Sequence, residues 1–193
     1  MLGNLISLII LFFVIYDPLI SIPFFLNATK NMNEEERFKT ATLAILVASI
    51  ISIAVLFSGI RLLNLFNTNL DDFKVAGGII LGLLGVKMVL GIPITEIEKG
   101  DNKSISGVAV IIGTPLLSGP AAITTIIISV SDYGLLTTGI AVTLVLALTG
   151  ILLYSAAKLL RFLGETTIQV STTMMGLITL SWGVMFVRGG LGI

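Results

Sequence analysis

Long apolar runs divided by short charged stretches set the pattern of this chain. Cutting it at its charged side chains leaves Gly3 to Leu26, interrupted only by Asp17, then Thr40 to Ile60, Val75 to Ile92 with Lys87 inside it, Ser104 to Ser131, Tyr133 to Ala157 and Thr166 to Val187. Each is close to the ~20 residues an α-helix needs to cross a hydrocarbon core. The alternating polarity of barrel strands is absent, and the runs are too continuous for ~10-residue outer-membrane segments. The expectation is an all-α integral membrane protein: one domain over residues 1–193 with six transmembrane helices.

Composition agrees with that reading. The chain is 55% hydrophobic and 11% charged, with a mean hydropathy of +1.09, values that belong to membrane proteins. The first run lacks a basic residue ahead of its apolar core and a small-residue cleavage site, so it reads as a permanent helix rather than a signal peptide. Cysteine and histidine are both missing, which excludes disulfides, zinc sites built on those ligands and histidine acid-base catalysis. The formal net charge is zero, and no basic cluster marks a nucleic-acid partner; the expected surroundings are the lipid bilayer.

Charge distribution says more than net charge. With the N-terminus on one side, that side carries Arg61, Lys74 and Arg188, and the other carries Lys30, Arg37, Lys39, Lys99, Lys103, Lys158 and Arg161. The positive-inside rule places the second set in the cytoplasm of a cell with this protein in its inner or plasma membrane. Both termini then lie outside the cytoplasm.

The chain also repeats itself. Pro18-Leu19-Ile20-Ser21-Ile22-Pro23 matches Pro115-Leu116-Leu117-Ser118-Gly119-Pro120 at an offset of 97 residues, and Arg61-Leu62-Leu63 meets Lys158-Leu159-Leu160 at the same offset. At an offset of 98, Gly78, Gly85-Val86 and Gly91 meet Gly176, Gly183-Val184 and Gly189. Repeat one is residues 1–97 and repeat two 98–193, each with three spans. An odd number of spans inverts the second copy, and inverted repeats are a signature of alternating-access transporters.

The paired prolines fall inside the first and fourth spans. Proline lacks the amide hydrogen and clashes with the carbonyl four residues back, so Pro18, Pro23, Pro115 and Pro120 free the carbonyls of Val14, Leu19, Ile111 and Leu116. Irregular backbone survives at membrane depth only where protein buries it or a polar cavity faces it. The expectation is two helices broken mid-membrane around one cavity. Each break offers carbonyls at a helix end and amide hydrogens at a helix start, two poles that suit a zwitterion. Ser21 and Ser118 either cap the new half-helices or contact a ligand.

Asp17 stands at the end of the first half-helix, the wrong pole for an anion, so it requires a cation or a proton. Lys87 is its candidate partner, or else snorkels to the interface. Repeat two has neither charge, with Thr114 at the place of Asp17 and Met185 at that of Lys87. Thr124 and Thr125 add hydroxyls, although threonines in such helices often bond their own backbone. Gly77, Gly78, Gly82 and Gly85, with Gly176 and Gly183, read as surfaces for close helix packing. Glu34-Glu35-Glu36-Arg37 reads as a solvated helix start.

Asp17-Pro18-Leu19 with Pro23-Phe24-Phe25-Leu26, Ala76-Gly77-Gly78, the stretch Pro115 to Thr124, and Leu163-Gly164-Glu165-Thr166 ahead of Met175-Gly176 together resemble the MarC (SnatA-type) family along the whole chain. The resemblance implies six helices in two inverted-topology three-helix repeats and transport of small neutral amino acids such as glycine, alanine and serine. The chain departs from the family pattern in having Ile20-Ser21 in place of Gly-Asn, Ala121 in place of Gly, and Met185 in place of Gln.

The reading is therefore a secondary transporter, not an enzyme, with its substrate between the two breaks. The expected contacts are Asp17, Pro18, Leu19, Ile20, Ser21 and Ile22 in the first break, and Thr114, Leu116, Leu117, Ser118, Gly119 and Ala121 in the second. The substrate carboxylate would meet amides near Ser21 to Phe24 and Gly119 to Ala122; its ammonium would meet freed carbonyls and Asp17. No catalytic or metal-ligating set is expected, nor a cofactor beyond a coupling proton or sodium ion, for which Asp17 and Lys87 are the candidates. An exporter or channel for another small solute is the alternative. A Ser/Lys hydrolase using Lys87 is disfavoured because no nucleophile lies near it in sequence. The oligomeric state is left open.

Overall fold

The computed structural model describes residues 2–65, 67–92 and 104–193, with Ile20, Leu116 and Glu165 among the few described by backbone alone. The described chain is helical, without strands: α1 (Leu2–Tyr16), α2 (Pro18–Ala28), α3 (Glu34–Leu65), α4 (Leu70–Val89), α5 (Ile105–Ile111), a π-helical turn (Ile112–Leu117), α6 (Pro120–Tyr133), α7 (Leu135–Tyr154) and α8 (Ala156–Leu191). Two of the lysines in the charge argument, Lys99 and Lys103, lie outside the described residues.

Among the described residues three stretches are continuous, long and apolar enough to cross a membrane: Glu34–Arg61, Leu135–Tyr154 and Thr166–Leu191. The other three expected spans differ for identifiable reasons. α4 has the length, at 20 residues, but carries Asp71, Asp72, Lys74 and Lys87. The first run is divided into helices of 15 and 11 residues. The fourth is divided into pieces of 7, 6 and 14 residues. The divisions fall at prolines, which cannot donate to the i→i−4 ladder: Pro18 opens α2 while Pro23 stays inside it, and Pro115 sits in the π turn while Pro120 opens α6.

Helix starts follow local chemistry. α3 begins well before Thr40 because Asn33 and Glu36 form a reciprocal capping box, each accepting the other's backbone N–H at 2.9 Å, which satisfies two orphan amides at once. Asn69 caps α4 by accepting the Asp72 N–H at 2.6 Å, and Ser104 caps α5 through the Gly107 N–H at 3.1 Å. α8 bends at Gly164, whose φ of 75° and ψ of 158° suit a residue without a β-carbon. The membrane-crossing part of α8 starts just beyond that bend.

Small residues decide which helices approach closely. α4 and α8 form the most extensive helix pair. A β-carbon on Gly78 would lie 2.5 Å from the Gly183 carbonyl oxygen, and one on Gly85 would lie 2.6 Å from the Leu180 nitrogen and 2.7 Å from the Gly176 carbonyl oxygen. A β-carbon on Gly190 would lie 2.5 Å from the Asp71 carbonyl oxygen. As residue numbers rise on α4 they fall on α8, so the two helices are antiparallel and touch backbone to backbone. α3 plays the same part for the interrupted helices. Its stripe of Ala41, Ala44, Ala48 and Ser52 is fully buried, and a β-carbon on Gly113 of the π turn would be 2.7 Å from the Ala44 carbonyl oxygen. The remaining core is filled by Leu8, Phe12, Tyr16, Ile22 and Phe25 from α1 and α2, against Val142, Val145 and Leu146 of α7.

Candidate functional site

The first interruption is one residue long. The Asp17 N–H still donates to the Phe13 carbonyl at 3.1 Å, so α1 ends there, and Pro18 opens α2. Asp17 has φ 35°, in the left-handed region. A residue before proline is pushed out of the right-handed helical region, and Asp is among the few non-glycine residues that tolerate the left-handed one. The Asp17 carbonyl accepts both the Ser21 N–H at 3.3 Å and the Ser21 hydroxyl at 3.1 Å. Pro23 lies inside α2.

The second interruption is built differently. Residues 112–117 widen into a π-helical turn, closed by the Ser118 N–H on the Gly113 carbonyl at 3.1 Å, and Pro115 sits within it. Such turns are uncommon and occur mostly at functional places in helices. Gly119 is then extended, with φ −69° and ψ 177°, and Pro120 takes the first turn of α6, where a proline costs no hydrogen bond. The expected sequence of helix end, extended linker and new helix is found here and not in repeat one.

These geometries rule out the capping alternative for both serines. Neither caps a half-helix: Ser21 bonds back one turn within the first break, and Ser118 donates across to the Ala48 carbonyl of α3 at 3.1 Å. They also move the amide pole of repeat one. α2 starts at Pro18, so its unpaired first-turn amides belong to Leu19 and Ile20 rather than to Ser21 to Phe24. In repeat two the corresponding amides are those of Ala121 and Ala122, as expected.

Most of the expected site is buried together. Pro18, Ser21, Ile22, Leu117, Ser118 and Ala121 are buried, as is Asp17 at 3% exposure; Leu19 and Gly119 are half-buried. α2 touches the π turn, and α1 touches α6, so the two breaks are neighbours. By backbone position Ile20 lies in the first turn of α2 and Leu116 in the π turn. Thr114 is exposed, apart from this buried group. Lys87 is also exposed, in the last turn of α4, the position of a snorkelling lysine next to a favourable helix end. Thr125 bonds the Ala121 carbonyl at 2.8 Å, the self-bonding expected of it, while a β-carbon on Gly77 would overlap Thr124.

Two polar residues of this region were not expected. The Tyr16 hydroxyl, one residue before the first break, is 2.8 Å from the Ser52 hydroxyl of α3, and both side chains are buried. Ser52 is one turn beyond Ala48, so adjacent turns of α3 hold both interruptions. The available signal was register: Ser52 aligns with Thr149 at the offset of 97 residues, a hydroxyl matched in both copies. Among the described residues no three acidic, cysteine or histidine side chains gather as metal ligands. A cation held here would rest on Asp17 and on backbone oxygens.

Helices interrupted at proline-bearing breaks among continuous membrane-crossing ones, with Asp17, Ser21, Ser52 and Ser118 buried, define an integral membrane protein. The family model for the MarC family integral membrane protein matches residues 2–192, and the chain belongs to that family. It is 30% identical to the UPF0056 membrane protein BU267 of Buchnera aphidicola, over 96% of this chain and 93% of that one. It is 32% identical to the UPF0056 membrane protein MJ1677 of Methanocaldococcus jannaschii, over 93% and 91%. It is 30% identical to the UPF0056 membrane protein YhcE of Escherichia coli, over 93% and 87%. No solved structure matches the chain significantly.

Proposed function

We propose that this protein is a secondary transporter of small neutral amino acids, working by alternating access between two inverted three-helix repeats. The observation that carries the proposal is the placement of two matched proline motifs at neighbouring, buried helix interruptions. Irregular backbone at that depth has to be satisfied by protein or by a polar guest. Amides of Leu19, Ile20, Ala121 and Ala122 at helix starts suit a carboxylate. Asp17 and carbonyls at the ends of α1 and the π turn suit an ammonium. The buried hydroxyls of Ser21 and Ser118 add short-range polarity that favours a small substrate.

The inverted repeat is supported by the glycine seam. At an offset of 98 residues Gly78 corresponds to Gly176 and Gly85 to Gly183, so exchanging the copies turns the Gly78–Gly183 contact into the Gly176–Gly85 contact. Both contacts are present. A twofold axis relating two antiparallel helices is perpendicular to them, and for membrane-crossing helices that axis lies in the membrane plane. Other pairs follow the same exchange: α4 with α6 corresponds to α8 with α2, and α3 with the α5-to-α6 segment corresponds to α7 with α1 and α2.

Cytoplasmic placement of the loops bearing Lys30, Arg37, Lys39, Lys158 and Arg161, with both termini outside, follows from the charge bias. Asp17 is the proposed holder of the substrate ammonium or of a coupling proton or sodium ion; exposed Lys87 is the weaker candidate for that coupling. The test is counterflow of radiolabelled glycine, alanine and serine in proteoliposomes. Saturable exchange that competing neutral amino acids inhibit supports the reading. A flat response to all of them favours a path for another small solute.

A further inference from the structure

We propose that the first eight residues of α8, Ala156 to Leu163, form a docking surface for anionic phospholipid headgroups. This segment joins two stretches that are each long and apolar enough to span the membrane, Leu135–Tyr154 and Thr166–Leu191. The connection is therefore held at a membrane surface. It is set off by Ser155, where α7 ends, and by the bend at Gly164. Its two faces differ in a way that a soluble connection would not require.

The inner face is Ala156, buried, with Leu159, Leu160 and Leu163 against the core. The outer stripe is Lys158, Arg161 and Phe162, all exposed, with Phe162 at 86%. These three positions share one helical face, being three and four residues apart. A nearly bare phenyl ring beside two cations suits neither water nor the hydrocarbon centre. It suits the headgroup boundary, with the ring in the upper acyl region and the ammonium and guanidinium at phosphate level.

An independent marker fixes the level. Tyr154, one turn before Lys158, stacks on Phe38 of α3 with ring centroids 4.7 Å apart, and its hydroxyl is 3.1 Å from that of Thr42. Exposed aromatic rings with a polar tip gather at the membrane–water interface. At the start of α3 Lys39 is occupied by Glu35, at 2.7 Å, whereas the ion pairs of the described residues include neither Lys158 nor Arg161. The charge and the exposed ring together select a lipid of net negative charge rather than a zwitterionic one.

The test uses the full chain in vesicles of phosphatidylcholine containing phosphatidylglycerol. F162W, placed in a Trp182→Phe background, makes the introduced indole the single tryptophan. Its quenching by brominated phosphatidylglycerol is compared with that by brominated phosphatidylcholine. One basic residue near an anionic surface supports about a five-fold preference, so two support roughly twenty-five-fold. Preferential quenching by the anionic lipid, reduced to near parity by K158Q/R161Q, is the expected result. Equal quenching by both lipids, an unchanged preference in K158Q/R161Q, or no quenching by either overturns the proposal. Should the background variant not fold, native mass spectrometry of the unmodified chain decides: phosphatidylglycerol adducts that K158Q/R161Q lacks support the site, and adducts equal in both reject it.

Discussion

Gly85→Ala measures how closely α4 and α8 are joined. The added β-carbon would lie 2.6 Å from the Leu180 nitrogen and 2.7 Å from the Gly176 carbonyl oxygen, both backbone atoms in a helix with no rotamer to change. A nonbonded carbon needs about 3.5 Å, so the seam has to open by roughly 0.9 Å, enough to forfeit a quarter to a half of the dispersion attraction of the facing atoms. Overpacking of this kind costs about 1–3 kcal/mol, offset by a helix-propensity gain of up to ~1 kcal/mol for alanine over glycine. With the full propensity gain the net expectation is a loss of about 0–2 kcal/mol, towards the upper end because the atoms met are backbone. Gly82→Ala on the same helix is the control, since its β-carbon meets only Leu180 Cδ1, at 3.8 Å, an ordinary contact. It should be neutral or slightly stabilising. Gly183→Ala, the repeat partner of Gly85, meets the Gly78 carbonyl oxygen at 2.7 Å and should behave like Gly85→Ala. Thermal unfolding in detergent, followed by size-exclusion fluorescence, ranks the three. Equal midpoints for Gly82→Ala and Gly85→Ala would refute the backbone-to-backbone seam, and a large difference between Gly85→Ala and Gly183→Ala would argue against the twofold exchange.

Asp17→Asn should leave the fold intact, because Asn also tolerates positive φ, while abolishing or uncoupling amino acid exchange; unchanged and pH-independent counterflow would return Asp17 to a structural role. Asp17→Ala should in addition lose about 1–2 kcal/mol of stability from its left-handed backbone, seen as a lower unfolding midpoint than that of Asp17→Asn. Ser118→Ala removes a hydroxyl bonded to a carbonyl, worth about 0.5–1.5 kcal/mol, and should weaken glycine counterflow more than that small stability loss explains. A variant with full exchange activity would detach Ser118 from the site. Asn33→Ala breaks the capping box at the start of α3 and should cost about 1 kcal/mol with exchange unaffected, giving a stability control away from the breaks.

The apolar runs made helical structure legible, because a membrane helix has to satisfy its backbone internally, but only three of the six runs are continuous, long and apolar enough to cross a membrane among the described residues. The positions of the breaks were legible too, since proline removes a donor wherever it stands. What sequence did not reveal was which proline of each pair would interrupt the helix. That choice depends on neighbours: Asp17 can take positive φ ahead of Pro18, whereas Gly113 lets a widened turn press against α3 ahead of Pro115. Nor could the sequence say where a hydroxyl would point. Ser21 and Ser118 occupy matched positions, yet one bonds its own turn and the other reaches Ala48, a difference set by the alanine stripe that brings α3 within reach. Thr114 drew notice as the counterpart of Asp17, but correspondence between repeats does not carry burial with it.

The unequal breaks bear directly on the proposed mechanism. In a transporter built from inverted repeats, the inward-open and outward-open states arise when the two copies trade conformations. Symmetry-matched sequence held in two different local geometries is what one member of such a pair of states requires. Here repeat one has a one-residue break with Ser21 bonded to the Asp17 carbonyl, and repeat two has a π turn with Ser118 bonded to Ala48. The register maps Ala48 onto Val145, whose carbonyl is occupied by the Thr149 hydroxyl at 2.8 Å, and Thr149 is the counterpart of Ser52. Trading conformations would therefore carry Ser21 to the Val145 carbonyl and return Ser118 to the carbonyl of Thr114. Because the chain contains no cysteine, paired cysteines at 48 with 118 and at 21 with 145 can each be cross-linked without background. On the exchange mechanism the two cross-links exclude each other and each arrests counterflow. If both form in the same molecule, the asymmetry is a fixed property of the fold, and the serine bonds do not switch during transport.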